Sequence, residues 1–396
     1  MKSIEIPKEA AAIISALERG GFKAYAVGGC VRDRLLGTVP HDWDITTSAR
    51  PNEIKHACRA WRTADTGLRY GTVSVIGSDG VYEVTTFRSE SRYDDFRHPS
   101  EIVFSDSLAE DLSRRDFTVN AIAANGSGAI IDPLGGAEDI SKKTLRCVGK
   151  PAERFSEDPL RILRGVRFAM QLGFGIDGET SAAMNALSPL LSHIAAERIK
   201  TELEKAICAE HFSAKVFSEY KSVISDSIGV DFSDLSPQLA EKCRGSEAAV
   251  CWAALLLPLG SGAADVCRRL KFSNDLKRTV CFLTENCKNK HAADRYTVRR
   301  LTGSFGADNM LMLGKLRRLA LGESETERTV LSVLDKHECC SLRDMAVNGG
   351  DLIKLGICGG REIGSILDCL LDSVLRDEVP NEKSALLNFA RNTISK

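Results

Sequence analysis

The sequence lacks a charge excess of either sign. Its 53 lysines and arginines nearly balance 54 aspartates and glutamates, so the formal net charge is −1. Phosphate binding usually leaves a basic footprint on a protein, and the balance of the whole chain, taken alone, argues against a nucleic-acid partner. An average over 396 residues hides local excesses, so the charge has to be followed along the chain.

A cysteine framework and a membrane-spanning run are also missing. None of the 13 cysteines pairs with another at C-x-x-C spacing, which argues against the common zinc and redox motifs. We expect free thiols in a reducing cytoplasm. Lys8, Glu9 and Glu18 interrupt the N-terminal region, so we predict no signal peptide. The sequence holds no run of about 18 apolar residues, so we predict no membrane span.

What is present is the composition of a folded globular protein. Hydrophobic residues make up 43% of the chain and charged residues 27%, which excludes a disordered, collagen-like or fibrous chain. The length of 396 residues predicts two or three domains.

The first 150 residues mix strand and helix patterns, and the rest of the chain is helical in pattern. Apolar residues at helical spacing predict a helix at 7–19, and a second helix is expected at 31–36. The predicted strands are 24–27, 43–46, 72–76, 81–87 and 130–133, with a hairpin turn at 77–80. Beyond about residue 150, a period near 3.6 dominates. The pattern predicts an α+β fold with an N-terminal mixed region and a long helical remainder.

A glycine turn is followed by two aspartates at D-x-D spacing. Gly28 and Gly29 follow the first predicted strand and open a helix, where backbone N–H groups can bind phosphate oxygens. Arg32 adds a positive charge in the first turns of that helix. Alternation along a strand places the Asp42 and Asp44 carboxylates on one face. Two adjacent carboxylates repel each other, and Mg²⁺ is a usual partner for such hard oxygen ligands.

Glu83 is a candidate for a third carboxylate. Phosphoryl transfer with two metal ions needs ions roughly 3.5–4 Å apart and often a third acidic ligand. Glu83 lies in the predicted strand at 81–87. An ordinary exposed glutamate in a strand is the alternative interpretation, and both fit the sequence.

These motifs resemble those of the nucleotidyltransferase superfamily that includes DNA polymerase beta. The resemblance rests on GGCVRDRLLG at 28–37 and HDWDITT at 41–47. The strings RRDFTVNA at 114–121, DPLGG at 132–136 and EDPLR at 157–161 narrow it to class II tRNA nucleotidyltransferases and bacterial poly(A) polymerases. It covers about residues 22–175.

The resemblance implies an N-terminal polymerase-beta-like nucleotidyltransferase head followed by an all-helical neck, body and tail. We expect the catalytic head at 1–145, a nucleotide-selecting neck at 146–205, and a tRNA-binding body and tail at 206–396.

Asp158 and Arg161 suit the recognition of two bases. Ser156 is predicted to cap a helix whose first turn holds 157–159, and i,i+3 spacing then puts Asp158 and Arg161 on one face. Cytosine and adenine both present an amine beside a bare ring nitrogen, so a carboxylate accepts while a guanidinium donates. Uracil and guanine present the reverse order and leave buried groups unpaired, at roughly 1–3 kcal/mol per group. An exposed i,i+3 ion pair is the alternative.

The resemblance also implies which residues bind the nucleotide. With Asp42 and Asp44 on the metal, the implied nucleotide-binding residues are Gly29, Arg32, Arg115, Asp158, Arg161, Arg164 and Arg167. Arg167 follows Asp158 by nine residues and so lies nearly opposite it on a helix of 3.6 residues per turn. Contact with phosphate or with the RNA backbone is the alternative for Arg164 and Arg167.

The polar segment between Phe87 and Val103 has no core pattern and is predicted to be a mobile loop. The resemblance associates a flexible loop here with addition of the terminal A, and Asp95 and Arg97 are the candidate functional residues. A plain solvated connection is the alternative.

The basic charge is concentrated in one helical segment. Residues 266–320 contain 13 lysines and arginines and four acidic residues, a net charge of +9, which leaves −10 for the remainder. The clusters at 268–271, 299–300 and 317–318 are predicted to contact RNA phosphates, with a solvated helical surface as the alternative. Near-neutrality of the whole chain is therefore no evidence against RNA.

Together, the motifs and the resemblance predict a template-independent enzyme that adds CCA to the 3′ end of tRNA from CTP and ATP. The reaction would use Mg²⁺ and release pyrophosphate. The alternatives are a poly(A) polymerase, an A-adding enzyme that works with a separate CC-adding enzyme, and a catalytically silent RNA-binding protein. The sequence predicts no oligomeric state.

Overall fold

A computed structural model describes residues 3–90, 102–357 and 359–394. Contacts divide the chain into two compact units, Met1–Phe232 and Ser233–Lys396. The boundaries expected at 145 and 205 both fall inside the first unit, so the division into head, neck and body stays a prediction.

The first unit contains an α+β portion followed by helices. Its helices are α1 (Lys8–Arg19), α2 (Gly29–Leu35), α3 (Pro51–Ala57), α4 (Leu108–Ser113), α5 (Gly136–Ser141), α6 (Pro151–Glu157), α7 (Leu160–Leu172), α8 (Gly178–Ala186), α9 (Ala196–Ile207), α10 (Ala214–Glu219) and α11 (Lys221–Ile228). Its strands are β1 (Ala24–Val27), β2 (Asp44–Thr47), β3 (Arg62–Gly67), β4 (Thr72–Ile76), β5 (Val81–Thr86), β6 (Arg88–Glu90), β7 (Ile102–Phe104), β8 (Ala123–Ala124), β9 (Ile130–Ile131), β10 (Thr144–Leu145) and β11 (Gly175–Ile176).

A seven-stranded sheet in the order β3-β4-β5-β2-β1-β8-β9 organises the α+β portion. β2 and β5 run parallel, while the other neighbouring pairs are antiparallel. One face of the sheet is covered, because Ile13 and Leu17 of α1 and Ile54 of α3 are buried in one core with Ile45 and Val84. Side chains alternate across a strand, and β5 accordingly alternates between exposed and buried positions. The uncovered face is therefore available for chemistry.

Most of the elements expected in this portion are confirmed. The strands at 24–27 and 72–76 have the predicted bounds, and the strand expected at 130–133 is confirmed over Ile130–Ile131. The hairpin closes through the Gly77 N–H, which donates to the Gly80 carbonyl at 2.8 Å. The first helix begins at Lys8 because Pro7 is its N-cap residue. The elements α3 and β3 were not predicted from the sequence. The residues of β3, RTADTG, lack an apolar alternation.

The second unit is helical throughout its described part. Its helices are α12 (Pro237–Lys242), α13 (Ala248–Leu256), α14 (Ala263–Arg269), α15 (Asn274–Asn286), α16 (Arg295–Phe305), α17 (Ala307–Leu321), α18 (Glu325–Asp335), α19 (Gly349–Ile353), α20 (Gly360–Leu375) and α21 (Lys383–Ile394). The predicted change from mixed to helical structure is confirmed, apart from the two-residue strand β11, which pairs in parallel with β10.

One described segment, Ala248–Arg269, is long and apolar enough to cross a membrane by length and composition, although the sequence reading expected none. It is not one continuous helix, because Gly260 has non-helical backbone angles (φ +54°, ψ −120°) between α13 and α14. Residues 249–256 are all buried, and Trp252 packs edge-on against Phe272 with ring centroids 4.9 Å apart. Burial in the core of the second unit explains the apolar composition.

Part of the predicted basic surface is buried. The Arg299 guanidinium is 5% exposed and donates to the carbonyls of Cys339, Val374 and Leu375 at 3.1–3.2 Å. Arg317 is similarly buried, with a 2.7 Å ion pair to Glu323. The expectation that these two arginines contact RNA phosphates is therefore wrong. A count of formal charges treats every arginine as exposed, whereas the guanidiniums of Arg299 and Arg317 are buried and donate to backbone carbonyls.

We predict that Arg299→Ala lowers the free energy of unfolding by roughly 3 kcal/mol, because it removes a buried cation that donates to three carbonyls and pairs with Asp377. The neighbouring Arg300 is exposed, and Arg300→Ala is expected to change stability by less than about 1 kcal/mol. Urea unfolding followed by circular dichroism measures both. Equal small effects in the two variants would contradict the structural role of Arg299.

Candidate active site

A cleft of about 540 Å³ lies on the uncovered face of the sheet. Side chains from the strands, from α2, from the segment before the turn at 118–120, and from α7 line it. The predicted site residues that it brings together are Gly29, Arg32, Asp44, Glu83, Arg115, Asp158, Arg161 and Arg164. Asp42 and Arg167 are not among the lining residues.

The register of the parallel strands places two acidic residues side by side. Asp44 of β2 is the Cα partner of Glu83 of β5, and partners in register point to the same face of a sheet. Asp42 is exposed and close enough to Asp44 to act on its charge. Burial raises the pKa of Asp44 to about 6; the negative charges of Asp42 and Glu83 add to the rise, and Arg115 opposes it.

The carboxylates of Asp42, Asp44 and Glu83 are of the kind that bind a divalent cation. Their mutual repulsion is what a cation would relieve, and carboxylate oxygens are the ligands that hard cations prefer. Among the residues that the structure describes, no group of three or more His, Cys, Asp or Glu side chains forms a ready metal cluster. The structure brings Glu83 to the site, but its role as a third ligand stays a prediction.

The glycine turn adopts the backbone that its sequence requires. Gly28 has φ +84° and ψ −130° and precedes the first residue of α2, a conformation that side chains with a Cβ rarely adopt. A Cβ on Gly28 would lie 2.9 Å from Nη1 of Arg115. The turn therefore keeps the backbone close to an arginine of the cleft.

Two arginines before the turn at 118–120 are held by a buried acid. Asp111 is fully buried and accepts from Arg114 Nη2 at 2.7 Å and from Arg115 Nη2 at 3.4 Å. Thr46 Oγ1 also donates to Asp111, at 3.1 Å. Burial alone would raise the pKa of Asp111, but Arg114 and Arg115 lower it below its ordinary value. The carboxylate stays ionised, and both guanidiniums are fixed at the cleft.

A second buried acid joins the sheet portion to α7. Asp116 accepts from Arg164 Nε at 2.8 Å and from the amide of Asn120 at 3.2 Å. Asn120 in turn accepts from Arg32 Nη1 at 2.6 Å. Burial alone would raise the pKa of Asp116, but the bonds from Arg164 and Asn120 lower it to about 2. Arg32 and Arg164 are thereby linked through one hydrogen-bonded chain.

The helix predicted around Asp158 is broken at that residue. α6 ends at Glu157, and Asp158 has extended backbone angles (φ −137°, ψ 93°) before α7 begins at Leu160. Ser156 lies inside α6 and donates to the Ala152 carbonyl at 2.8 Å, so its expected role as N-cap is wrong. Pro159 disfavours helical angles in the residue before it, which explains the break.

Asp158 and Arg161 both line the cleft despite this break. The Asp158 Oδ1 atom accepts from the Leu160 N–H at 3.2 Å. Arg161 is 6% exposed, and its Nη2 donates to the Arg114 carbonyl at 3.2 Å. Arg161 faces the cleft from the first turn of α7 and Asp158 from two residues before that helix, rather than from one helix face.

Arg167 is placed differently from its predicted role. Its Nε lies 2.6 Å from Glu202 Oε2 of α9, and its guanidinium stacks 4.0 Å from the centre of the Phe168 ring. The helix turns the Arg167 side chain toward α9, so Arg167 is not among the residues that line the cleft, and its predicted role in nucleotide binding stays a prediction. Asp95 and Arg97 of the predicted loop lie outside the described residues.

Sequence reasoning missed several residues of the cleft. Phe168 lies under three guanidiniums, those of Arg32, Arg164 and Arg167, at 5.5, 5.3 and 4.0 Å from its ring centre. Its i,i+4 spacing from Arg164 was a usable signal for stacking. Asn120 belongs to the RRDFTVNA string, but its bond to Arg32 spans 88 residues of sequence. Nothing local in the sequence indicates that partner.

Comparison with known proteins identifies the family of the chain. Residues 24–146 match the family described as Poly A polymerase head domain, residues 173–216 match RNA and SrmB- binding site of polymerase A, and residues 244–390 match tRNA nucleotidyltransferase domain 2. The chain is 36% identical to the CCA-adding enzyme of Levilactobacillus brevis, over 98% of this chain and 99% of that relative. It is also 36% identical to that of Enterococcus faecalis, over 100% and 99%. This chain belongs to the family of CCA-adding enzymes.

Solved CCA-adding enzymes share the fold. The Bacillus stearothermophilus CCA-adding enzyme in complex with CTP is 32% identical, with a TM-score of 0.87 over 98% of this chain and 97% of that chain. The Thermotoga maritima CCA-adding enzyme complexed with tRNA covers 100% of both chains with a TM-score of 0.66; at 21% identity, that likeness concerns the fold alone. The predicted fold class and resemblance are confirmed. Nucleotidyltransferases of this family generally use a divalent metal ion.

We predict that Gly28→Ala weakens CTP binding by about tenfold, because alanine at φ +84° is strained by roughly 1–3 kcal/mol and its Cβ displaces Arg115. Gly37→Ala is the matched control, since Gly37 has a similar φ of +79°, its Cβ would meet no atom within 4 Å, and it is not among the residues that line the cleft. Isothermal titration calorimetry measures both affinities. Equal losses in the two variants would contradict this account of the turn.

Proposed function

We propose that this CCA-adding enzyme completes the 3′ end of tRNA by adding C, C and A from CTP and ATP without a nucleic-acid template. The observation that supports this most is the composition of one cleft, which combines the carboxylates of Asp44 and Glu83 with fixed arginines and the pair Asp158 and Arg161. The first set suits phosphoryl transfer, and the second suits the choice of a base. The free thiols of the described cysteines suit a reducing cytoplasm.

We propose Mg²⁺ as the metal, with Asp42 and Asp44 as its ligands. When bound there, it would lower the pKa of the tRNA 3′-hydroxyl and neutralise charge on the α-phosphate. Asp44 has to be ionised to bind the metal, although its pKa is raised to about 6. A nearby cation favours the ionised carboxylate. Glu83, its partner across the strands, is proposed to add negative charge that strengthens cation binding.

Arg32 and Arg115 are proposed to bind the triphosphate. Both guanidiniums line the cleft, and both are held by partners that fix their direction: Asn120 for Arg32 and Asp111 for Arg115. Backbone N–H groups that follow the Gly28 turn would add hydrogen bonds to phosphate oxygens. Held this way, the leaving pyrophosphate lies opposite the attacking hydroxyl, as in-line displacement requires.

Asp158 and Arg161 are proposed to select the base. Ionised Asp158 only accepts, and Arg161 only donates, so the pair matches the amine and ring nitrogen of cytosine or adenine. Uracil and guanine would place an acceptor against Asp158 and a donor against Arg161. Arg164, held by Asp116, is proposed to contact the nucleotide beside them.

The second unit is proposed to bind tRNA through its exposed cations. In the segment 266–320, exposed basic side chains include Arg268, Lys288, Lys290 and Arg300. These can bind RNA phosphates by charge, with affinity that falls as salt rises. The head, neck and body-and-tail division at 145 and 205 is part of this proposal.

We predict that the purified protein adds CCA to tRNA lacking its 3′ end when CTP and ATP are both present, and stops after two additions with CTP alone. Asp44→Ala is expected to lower the rate by about 10³-fold or more, because it removes a metal ligand. Asp65→Asn, an exposed acid of β3 paired with Lys55, is the control and should leave the rate unchanged. Gel electrophoresis of labelled tRNA resolves each addition.

Other products would identify the alternatives. Long tails made from ATP alone on unrelated RNA would identify a poly(A) polymerase. Addition of A only to tRNA already ending in CC would identify an A-adding enzyme. Full tRNA binding with no addition would identify a silent RNA-binding protein.

We predict that Asp158→Ala reduces the preference for CTP over UTP in kcat/KM by about tenfold or more, because the acceptor that disfavours the uracil O4 is removed. Glu153→Ala, an exposed acid of α6 paired with Lys150, should keep the preference. Single-turnover addition with each nucleotide gives both ratios. An unchanged preference in Asp158→Ala would contradict the assignment of base selection to Asp158.

A further inference from the structure

Helix α9 presents two opposite charges, one turn apart, to Asp158 and to two arginines of α7. Arg198 Nη2 lies 3.7 Å from Asp158 Oδ2. Glu202 lies 2.6 Å from Arg167 and 4.0 Å from Arg164. Residues at i and i+4 share one helix face. α9 therefore places a cation against the proposed base-selecting acid and an acid against the arginines that follow it.

We propose that Arg198 is a positioning residue for base selection, which holds Asp158 as an ionised carboxylate that can only accept a hydrogen bond from the base. This inference rests on the proposed function, because it assumes that Asp158 reads the base. Arg198 approaches the Asp158 carboxylate from α9 and acts on the base only through that carboxylate.

The geometry leaves Asp158 able to serve both partners. Its Oδ1 accepts from the Leu160 N–H, and its Oδ2 faces Arg198. A carboxylate has about four acceptor positions, so lone pairs remain for the amine of cytosine or adenine. Its side chain is 17% exposed, enough to border the cleft and too little for water to stabilise the charge fully.

The protonation state of Asp158 decides what it selects. An ionised carboxylate repels the O4 atom of uracil or the O6 atom of guanine, whereas a protonated carboxyl donates its O–H to either oxygen. Protonation would thus relieve one of the two mismatches that exclude these bases. The mismatch between their ring N–H and Arg161 would remain, so selectivity would fall without vanishing.

Arg198 opposes the effect that would protonate Asp158. Burial raises the pKa of Asp158, and the charge of Arg198 opposes that rise, ahead of Arg161, the Leu160 N–H and Arg164. Removal of Arg198 is therefore expected to raise the pKa further, so that the protonated form grows as pH falls.

Other charged groups near Asp158 are already engaged. From α7, Arg161 pairs with Glu157 and Arg164 pairs with Asp116. From α6, Glu157 pairs with Arg154. The charged side chains that act on the Asp158 carboxylate are Arg198 from α9 and Arg161 and Arg164 from α7. Arg198 forms an ion pair with Asp158 itself.

The test is the pH dependence of nucleotide selectivity in the full-length enzyme. With tRNA lacking CCA, kcat/KM is measured for CTP and UTP, and with tRNA ending in CC it is measured for ATP and GTP. Both series run between about pH 6 and about pH 8.5. The wild-type preference should change less than about twofold across this range, because Asp158 stays ionised. In Arg198→Gln, it should fall about tenfold toward the acidic end and recover toward the basic end.

Two further variants separate charge from structure. Arg198→Lys keeps the charge and should restore a preference that is flat with pH. Lys200→Gln removes a cation from the same helix that pairs with Glu204 rather than with Asp158, and it should behave as wild type. Thermal unfolding of each variant shows whether it is folded. If Arg198→Gln does not fold, the nucleotide preference of Arg198→Lys is compared with that of Lys200→Gln at the acidic end of the pH range. Loss of the preference in Arg198→Lys would then overturn the inference.

The outcomes also distinguish this inference from the proposed function. A wild-type enzyme with no preference for CTP and ATP over UTP and GTP would overturn the proposed function. A wild-type preference that Arg198→Gln retains at every pH, or loses equally at every pH, would overturn the role of Arg198 alone.

Discussion

Buried carboxylates that hold arginines in place are the interaction on which the cleft depends. Asp111 fixes two guanidiniums, and Asp116 and Glu202 fix one each. Burying an unpaired charge is costly, and a buried pair is stable only when its remaining hydrogen bonds are satisfied. The cations are therefore held in place before any ligand arrives, and the entropic cost of orienting them for a polyphosphate is already met by folding.

The acids of the cleft consequently fall into two classes. Asp116 is surrounded by donors, and its pKa is lowered to about 2. Asp44 is surrounded by other acids, and its pKa is raised to about 6 by burial and by Asp42 and Glu83. Acids of the first kind organise the site, whereas crowded acids of the second kind are typical of catalytic centres. The parallel register of β2 and β5 imposes that crowding, so the sheet determines where the cation can bind.

Local patterns predicted the parts of the site that depend on local backbone. The glycine turn follows from Gly28, whose positive φ no ordinary side chain favours. Strand alternation was expected to place Asp42 and Asp44 on one face, but β2 begins at Asp44, so Asp42 lies before the strand. Long-range partners had no local signal: Asn120 meets Arg32, and Glu202 meets Arg167, across distant parts of the sequence. Charge counting failed at Arg299, where burial changes a phosphate-binding candidate into a structural cation. The break at Asp158 was readable in principle from the proline that follows it.

We propose that fixed protein groups, rather than a template strand, read the base. Crystal structures of the enzyme with CTP and with ATP, each with Mg²⁺, test this most directly. We expect the exocyclic amine of both bases to donate to Asp158 and Arg161 to donate to the adjacent ring nitrogen, with donor–acceptor distances of about 2.7–3.2 Å. Bases bound away from these two side chains, with Asp158 contacting only Arg198 and the Leu160 N–H, would contradict it.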